Sequence, residues 1–454
     1  MSMKSALEPK PGRSTDVEST ERTPLVSKNS GGGDDGNPRS DDYSRGGLSV
    51  KQTVFLIAGE MAGSGILALP RALVRTGWLG VPIIVVMCAA AAFSGKRLGD
   101  CWSILEERDP KLRTRKRNPY AIIAEKSLGT TWSVVVSMAM TTTLFGVAVV
   151  NLLLAAQIVE QVFLSLVPNV SYCAWYLIVA GAMTPLMLHG TPKDISYVGV
   201  IAFGATVVAC ILYFIQMMND IRPFVFRYGI HGFQDFFLAF GTIMFAFGGA
   251  STFPTIQNDM ADKRKFNKSL NYSFLVILGI YLPIAIAGYA VYGESAGSNI
   301  SASLSTTPLT LVGNILMALH LVTAFVIIIN PVCQEMEQLY NIPRDSMGWR
   351  IVIRVSVMLA ILFIGESVPR FYTILALVGG TTIVLLTFVL PSYCYLSLME
   401  QPLEGGQTPV EMPGWMKMVC WELVTFGLVG GIAAAYSAIS AIFSTAQATP
   451  CYLR

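Results

Sequence analysis

Charge is what this sequence has least of. Only 13% of its 454 residues are Asp, Glu, Lys or Arg, against roughly 25% in soluble domains. With 53% of residues hydrophobic, a soluble globular enzyme is a poor fit. There are three histidines, His189, His231 and His320, and they fall in separate elements. The eight cysteines show neither CxxC nor Cys/His metal spacing. No nucleophile elbow, HExxH or GxxxxGK[ST] loop is present. No cofactor, metal or enzyme chemistry is therefore expected, and the missing phosphate loop argues against a pump driven by ATP. The net charge of +3 gives no case for nucleic acid, because the basic residues lie in loops between apolar runs. No apolar signal-peptide core precedes the first such run, which is expected to remain in the mature chain.

What is present is a series of apolar runs near the ~20 residues a membrane span needs. They predict an all-α polytopic membrane protein with about eleven spans: 51–75, 78–102, 132–165, 172–188, 193–217, 234–262, 267–292, 307–334, 348–366, 368–398 and 414–443. Residues 119–127 read as a short surface helix. Three regions follow: a tail of 1–47 too polar to bury a core, a transmembrane domain of 48–443, and a short end at 444–454. Orientation follows from positive charge. The loop 95–127 carries nine Lys or Arg, Arg115 and Arg117 among them, while 166–172 and 293–307 carry none. This puts the N-terminus in the cytoplasm and the C-terminus outside or in a lumen. The outer loop 218–233 has only Arg222 and Arg227. The sequons at Asn169 and Asn299 fall on the outer side, and Asn299, farther from the membrane, is expected to be the better acceptor. A third, at Asn267, falls inside. Cys173 and Cys451 both lie near the outer face, where a disulfide could form, although packing or solvation is the more ordinary fate of such cysteines. ERTPLV, residues 21–26, resembles a dileucine sorting signal read by an adaptor, with Val26 where the pattern prefers Leu or Ile. Plasma membrane and endolysosomal or vesicular membrane both remain open.

Two spans carry their own interruption. GEMAGSGILALPRA, 59–72, places Gly63-Ser64-Gly65 near the bilayer middle, beside the carboxylate Glu60. FAFGGASTFP, 245–254, places Gly248-Gly249 at matched depth in the sixth span. Each glycine weakens a helix by about 1 kcal/mol, and unwound backbone is tolerated in a membrane where it lines a cavity. Spans one and six are five apart and so run in opposite directions, the pattern of an inverted-repeat transporter. The new helix after the first break would offer free N–H groups to an anion. The helix ending near Phe247 would offer carbonyls to an ammonium group. A zwitterion satisfies both, and an α-amino acid is the simplest such metabolite. The bland alternative is that small residues merely let helices pack.

These residues resemble the amino acid/auxin permease family, which includes proton-coupled and vesicular neutral amino acid transporters. The resemblance rests on AGEMAGSGILALPRAL (58–73), FAFGGASTFPTIQNDM (245–260) and the eleven-span layout. It implies a LeuT-type fold, five spans, five inverted spans and one extra, and secondary active transport. It further implies carboxylate contacts at Gly63, Ser64, Gly65 and Ile66, and amino-group contacts near Phe247 and Gly248. Phe245, Phe247, Ser251 and Asn151 would line the side-chain pocket.

Transport against a gradient needs a coupled ion, H⁺ or Na⁺. Ionisable residues inside a span are the candidates: Glu60, and His320 with Thr323 one turn on. Histidine can titrate between pH 5 and 8. Glu160 reads as solvated near an interface, and Asp259, Asp262, Glu335 and Glu337 as solvated inner faces. Neutral substrates are expected, since the middles of spans three, six and eight offer no charged partner. A sodium-coupled transporter and an amino-acid-sensing receptor are the alternatives.

Overall fold

The computed structural model describes residues 47–113, 118–164, 166–188, 195–221, 225, 229, 232–343, 346–402, 412–444 and 450–453. The tail with ERTPLV, together with Arg115, Arg117, His189, Arg222, Arg227 and His231, lies outside the described residues. Fifteen helices follow in order among those residues: α1 Val50–Met61, α2 Ser64–Thr76, α3 Gly80–Arg108, α4 Pro119–Leu128, α5 Thr130–Phe163, α6 Tyr172–Leu188, α7 Ile195–Asn219, α8 Phe233–Ala246, α9 Phe253–Asn258, α10 Phe266–Tyr292, α11 Pro308–Leu339, α12 Met347–Ser367, α13 Phe371–Val378, α14 Leu390–Glu400 and α15 Gly414–Ser444. Each expected span appears as a helix or a pair of half-helices at its expected place, and α4 is the short helix expected at 119–127, with six of its ten residues buried.

Local chemistry sets several boundaries. Ser49 opens α1 in a capping box: Gln52 N–H donates to its hydroxyl at 3.4 Å, and Ser49 N–H donates to Gln52 Oε1 at 2.9 Å. Proline stands at the first position of α4 and α11, where its missing N–H costs nothing. Between α13 and α14 the chain winds as π-helix over 379–383 and 385–389. Such turns are rare and gather at functional sites.

Among the described residues, eight helical segments are long and apolar enough to cross a membrane, and α6 and α8 are shorter apolar helices. Outward faces carry exposed Ile201, Phe363 and Phe443, a surface suited to hydrocarbon rather than water. The broken helices sit in the middle. Residues 64–70 of α2 are all buried. Two ends can be told apart. At the tail end, Leu48 N–H donates to Asp259 O at 2.8 Å and Ala261 N–H to Leu48 O at 3.1 Å, joining the start of α1 to the end of α9. At the other end lies the α10–α11 connection, 293–307, here called the lid.

Three expectations are corrected. Cys173 and Cys451 are paired, joining α6 to the chain end across 278 residues. A cluster of donors formed with Glu366 is thus no metal site, since both sulfurs are bonded to each other. Asn299 is 1% exposed and its Oδ1 accepts the Ser301 N–H at 3.0 Å, because the residue caps a short turn of the lid. Asn169 is exposed, so it is the accessible sequon, reversing the expected order. Glu337 is no solvated surface group: Arg354, 3% exposed, donates Nε to it at 3.0 Å and Nη1 to Met187 O at 2.7 Å, and Arg350 reaches it at 3.3 Å. This pair fastens α6, α11 and α12. Asp262 is exposed, as expected, and pairs with Lys265 at 3.1 Å, while the next residue forms a clasp, with Lys263 Nζ 2.6 Å from Glu106 and 2.8 Å from Asn258.

Candidate functional site

The first break is short. Ala62 N–H still reaches back to Ala58 O at 2.8 Å, but Gly63 N–H turns to Met61 O at 2.9 Å and a new helix starts at Ser64. Ser64 and Gly65, at the head of α2, have no carbonyl four residues back within their own helix. Ile66 differs from expectation: its N–H donates to Gly63 O at 3.3 Å and its side chain is fully buried. It does not line the cavity. Gly65 has a packing duty as well, because a Cβ there would lie 2.8 Å from the Ala246 Cα. A glycine at this position lets α2 and α8 touch backbone to backbone, which brings the two breaks together.

The second break covers 247–252, between Ala246 and Phe253. Gly248 N–H donates to Phe245 O at 2.9 Å, and Thr252 N–H to Gly249 O at 3.1 Å. Phe247 is again a correction. Its ring is fully buried and packs on Tyr281 with centroids 5.5 Å apart, away from the cavity. That tyrosine, which the sequence reading missed, joins the breaks. Its buried hydroxyl lies 2.6 Å from Met61 O and 2.9 Å from Ala246 O, the terminal carbonyls of α1 and α8. The signal for it was a tyrosine two residues before Pro283, in the middle of an apolar run.

Around the paired breaks lies a cavity of about 60 Å³, lined by Glu60, Gly63, Ser64, Gly65, Asn151, Phe245, Gly248, Ser251 and His320. Nine of the expected residues thus meet in one place. A second space of about 170 Å³ adjoins it, sharing Glu60, Leu144, His320, Ala324 and Ile328, and extends past Leu56, Gly59 and Pro331 toward the tail end. Glu60 lies mid-span, deep in the protein, and lines both spaces. Thr323 does not join the site. Its hydroxyl donates to Leu319 O at 2.8 Å, and it lines neither space.

His320 is 3% exposed. Its Nδ1 sits 3.1 Å from Ala202 O. A carbonyl can only accept, so Nδ1 carries the proton and Nε2 holds the lone pair in the neutral ring. That Nε2 faces the first break, 3.4 Å from where a Cβ of residue 63 would stand. The far wall is the π-helical stretch, with Ile383, Leu386 and Thr387. The carbonyls there are held from outside: Tyr120 on α4 donates to Leu386 O at 2.6 Å and Ser94 on α3 to Phe388 O at 3.3 Å.

Comparisons with known proteins bear on the family and the fold. Residues 46–439 match the family described as Transmembrane amino acid transporter protein. Amino acid transporter AVT1D of Arabidopsis thaliana is 24% identical over 412 residues, 86% of this chain and 70% of that protein. Amino acid transporter AVT1J of the same plant is 25% identical over 427 residues, 90% and 95% of the two chains. The fold is similar to the crystal structure of MhsT in complex with L-phenylalanine, with TM-score 0.58, 11% identity, and 87% and 99% coverage. It is similar also to the inward facing conformation of Mhp1, with TM-score 0.54, 14% identity, and 89% and 93% coverage. The architecture is the LeuT-type fold, and the chain belongs to the transmembrane amino acid transporter family as a multi-pass membrane protein.

Proposed function

We propose that this protein is a proton-coupled secondary transporter of neutral amino acids, working by alternating access around its two broken helices. The observation that carries the reading is the convergence of both breaks and of His320 Nε2 on one cavity. The substrate carboxylate takes the N–H groups of Ser64 and Gly65 at the head of α2, where the helix dipole favours an anion. The ammonium group lies on the opposite side, toward Gly248 and Ser251. Leu144, Val147, Phe245, Ile328 and Ile383 face the side chain, with Asn151 and Thr143 as polar contacts. Glu60 is the sole charged side chain among the described lining residues apart from His320, which favours an uncharged substrate side chain.

Coupling runs through His320 and Glu60. A proton taken on Nε2 creates a cation beside the C-terminal carbonyls of α1, which favour positive charge, and opposite the Glu60 carboxylate. A sodium site built with a hydroxyl of α11 finds no support at Thr323. Access in this conformation is from the tail end. At the lid end, Arg71 donates to Glu294 O at 3.2 Å and Ala296 O at 2.9 Å, so α2 is fastened to the lid. The Cys173–Cys451 pair supports an oxidising compartment at the lid end and hence a cytoplasmic tail end, in agreement with the positive charge of the 95–127 loop.

Uptake into proteoliposomes tests the reading: a panel of labelled neutral, cationic and anionic amino acids, with and without an inward pH gradient, and with and without Na⁺. The expected result is uptake of neutral amino acids that follows the pH gradient and ignores Na⁺. Uptake that needs Na⁺ and ignores pH refutes proton coupling.

A further inference from the structure

Two polar side chains on the wall of the central cavity have no hydrogen-bond partner among the described residues: Asn151 on α5 and Thr387 in the π-helical stretch. They are 3% and 1% exposed, and both line the cavity. The threonines nearby behave otherwise. Thr143 donates its hydroxyl to Ala139 O at 2.7 Å, and Thr381 donates to Leu377 O at 2.6 Å. That is the usual bond of a helical threonine, to the carbonyl four residues back. Thr387 makes no such bond. The π-helical stretch packs against α5, so the two free groups belong to one wall. A buried polar group is nearly always paired, and two unpaired ones facing one cavity point to a ligand that pairs with them.

We propose that Asn151 and Thr387 select the substrate by its side chain. The central site takes neutral amino acids whose side chain ends in a hydrogen-bonding group, a carboxamide above all, over aliphatic ones of the same shape. This rests on the transport reading above and narrows it. With the α-carboxylate and ammonium groups held at the breaks, the side chain is the part of the substrate left to face α5 and the π-helical wall. The Asn151 carboxamide offers two donors and an acceptor, and the Thr387 hydroxyl one donor and an acceptor. A substrate carboxamide carries both kinds of group, so it can pair with the two residues together. A substrate hydroxyl, with a single proton, satisfies fewer of these bonds. An aliphatic side chain of equal size excludes water from the wall and pairs with neither residue, leaving both buried and unsatisfied. A site that hydrogen-bonds a substrate group rejects the analogue lacking it far more strongly than an apolar pocket rejects an added hydroxyl. Selection thus comes mainly from the penalty on the wrong substrate.

The test uses pairs matched in shape. Asparagine and leucine share one branched outline, and so do threonine and valine, so each pair differs in polarity alone. Uptake of the four labelled amino acids into proteoliposomes gives a KM for each. In the wild type the asparagine KM is expected to lie below the leucine KM by about tenfold or more, the effect of leaving a buried polar group unpaired. Threonine should be preferred to valine by a smaller factor. Asn151→Leu should bring asparagine and leucine to within about threefold of each other, with the leucine KM falling. Thr387→Val should narrow the threonine–valine gap. Thr381→Val is the control, because that exposed hydroxyl is tied within its own helix, and it should leave both ratios unmoved. A wild type that binds leucine as tightly as asparagine overturns the proposal and leaves amino acid transport standing. A uniform rise of all four KM values in Asn151→Leu overturns it too, since Asn151 would then hold the part common to every amino acid. If Asn151→Leu does not reach the membrane, the wild-type ratios and Thr387→Val decide. A wild type that takes up no amino acid sinks the transport reading first, and this inference with it.

Discussion

Tyr281→Phe removes one oxygen from the centre of the protein. The hydroxyl lies within hydrogen-bond distance of the last carbonyls of both α1 and α8, at 2.6 and 2.9 Å, and the residue is fully buried. It has a single proton, so the two carbonyls share it. Without it, at least one buried carbonyl loses its partner, a loss of about 1–3 kcal/mol. Those carbonyls end the half-helices that frame the central cavity, so stability and substrate affinity should fall together. Unfolding of the purified protein on heating should shift downward, and KM should rise roughly tenfold, since 1.4 kcal/mol is a factor of ten. Tyr176→Phe is the control. Its buried hydroxyl donates to Ile361 O at 3.1 Å, between α6 and α12, far from the breaks. That variant should lose comparable stability with KM unchanged. If Tyr281→Phe matches the wild type in both measurements, the reasoning that this hydroxyl holds the breaks together is wrong.

Arg354→Ala strips a buried guanidinium from Glu337 and from the end of α6; a loss of ~3–5 kcal/mol is expected, read as lost thermal stability, and a normal unfolding temperature would contradict it. Burial pushes the Asp220 carboxyl up, but hydrogen bonds from Tyr292, Ser305 and Gln216 outweigh it and hold the group below the ordinary range. A depressed folded pKa gives stability that is complete above the unfolded value, ~3.9, and is lost only as pH falls through the folded one. Lid residues 293–307 should therefore keep the same hydrogen-exchange protection at pH 7 and pH 5, and Asp220→Asn should lower it at both; loosening of the wild-type lid above pH 5 would count against this. Tyr120→Phe frees the Leu386 carbonyl in the π-helical wall and should change the ratio of KM values between small and large neutral amino acids, where equal shifts for both would deny it a part in shaping the cavity.

The spans were legible because a run of some twenty apolar residues has few other uses, and the ends fell within a few residues of the helices. The breaks were legible because Gly63, Gly65, Gly248 and Gly249 cluster at matched depth. Rotation was not. Unwinding at 247–252 turns the Phe247 ring toward Tyr281 and leaves Phe245 facing the cavity, and no spacing rule gives that angle. A first-turn N–H was assumed free at Ile66, but a tight turn to Gly63 O uses it. Thr323 was placed by sequence proximity to His320, yet threonine hydroxyls in helices commonly bond the carbonyl four residues back, as this one does. Tyr281, Arg354 with Glu337, and Cys173 with Cys451 are joined across distant segments, and a single sequence carries no record of which helices will be neighbours.

The central claim is that an amino acid lies between the two breaks with its carboxylate on α2. A map of the purified protein with its best-transported substrate tests this most directly. The account predicts substrate density inside the cavity between Ser64, Gly65, Gly248 and Ser251, its carboxylate within hydrogen-bond distance of the Ser64 and Gly65 N–H groups. Density seated elsewhere, or continuous helix through 60–68 and 245–254, would contradict it.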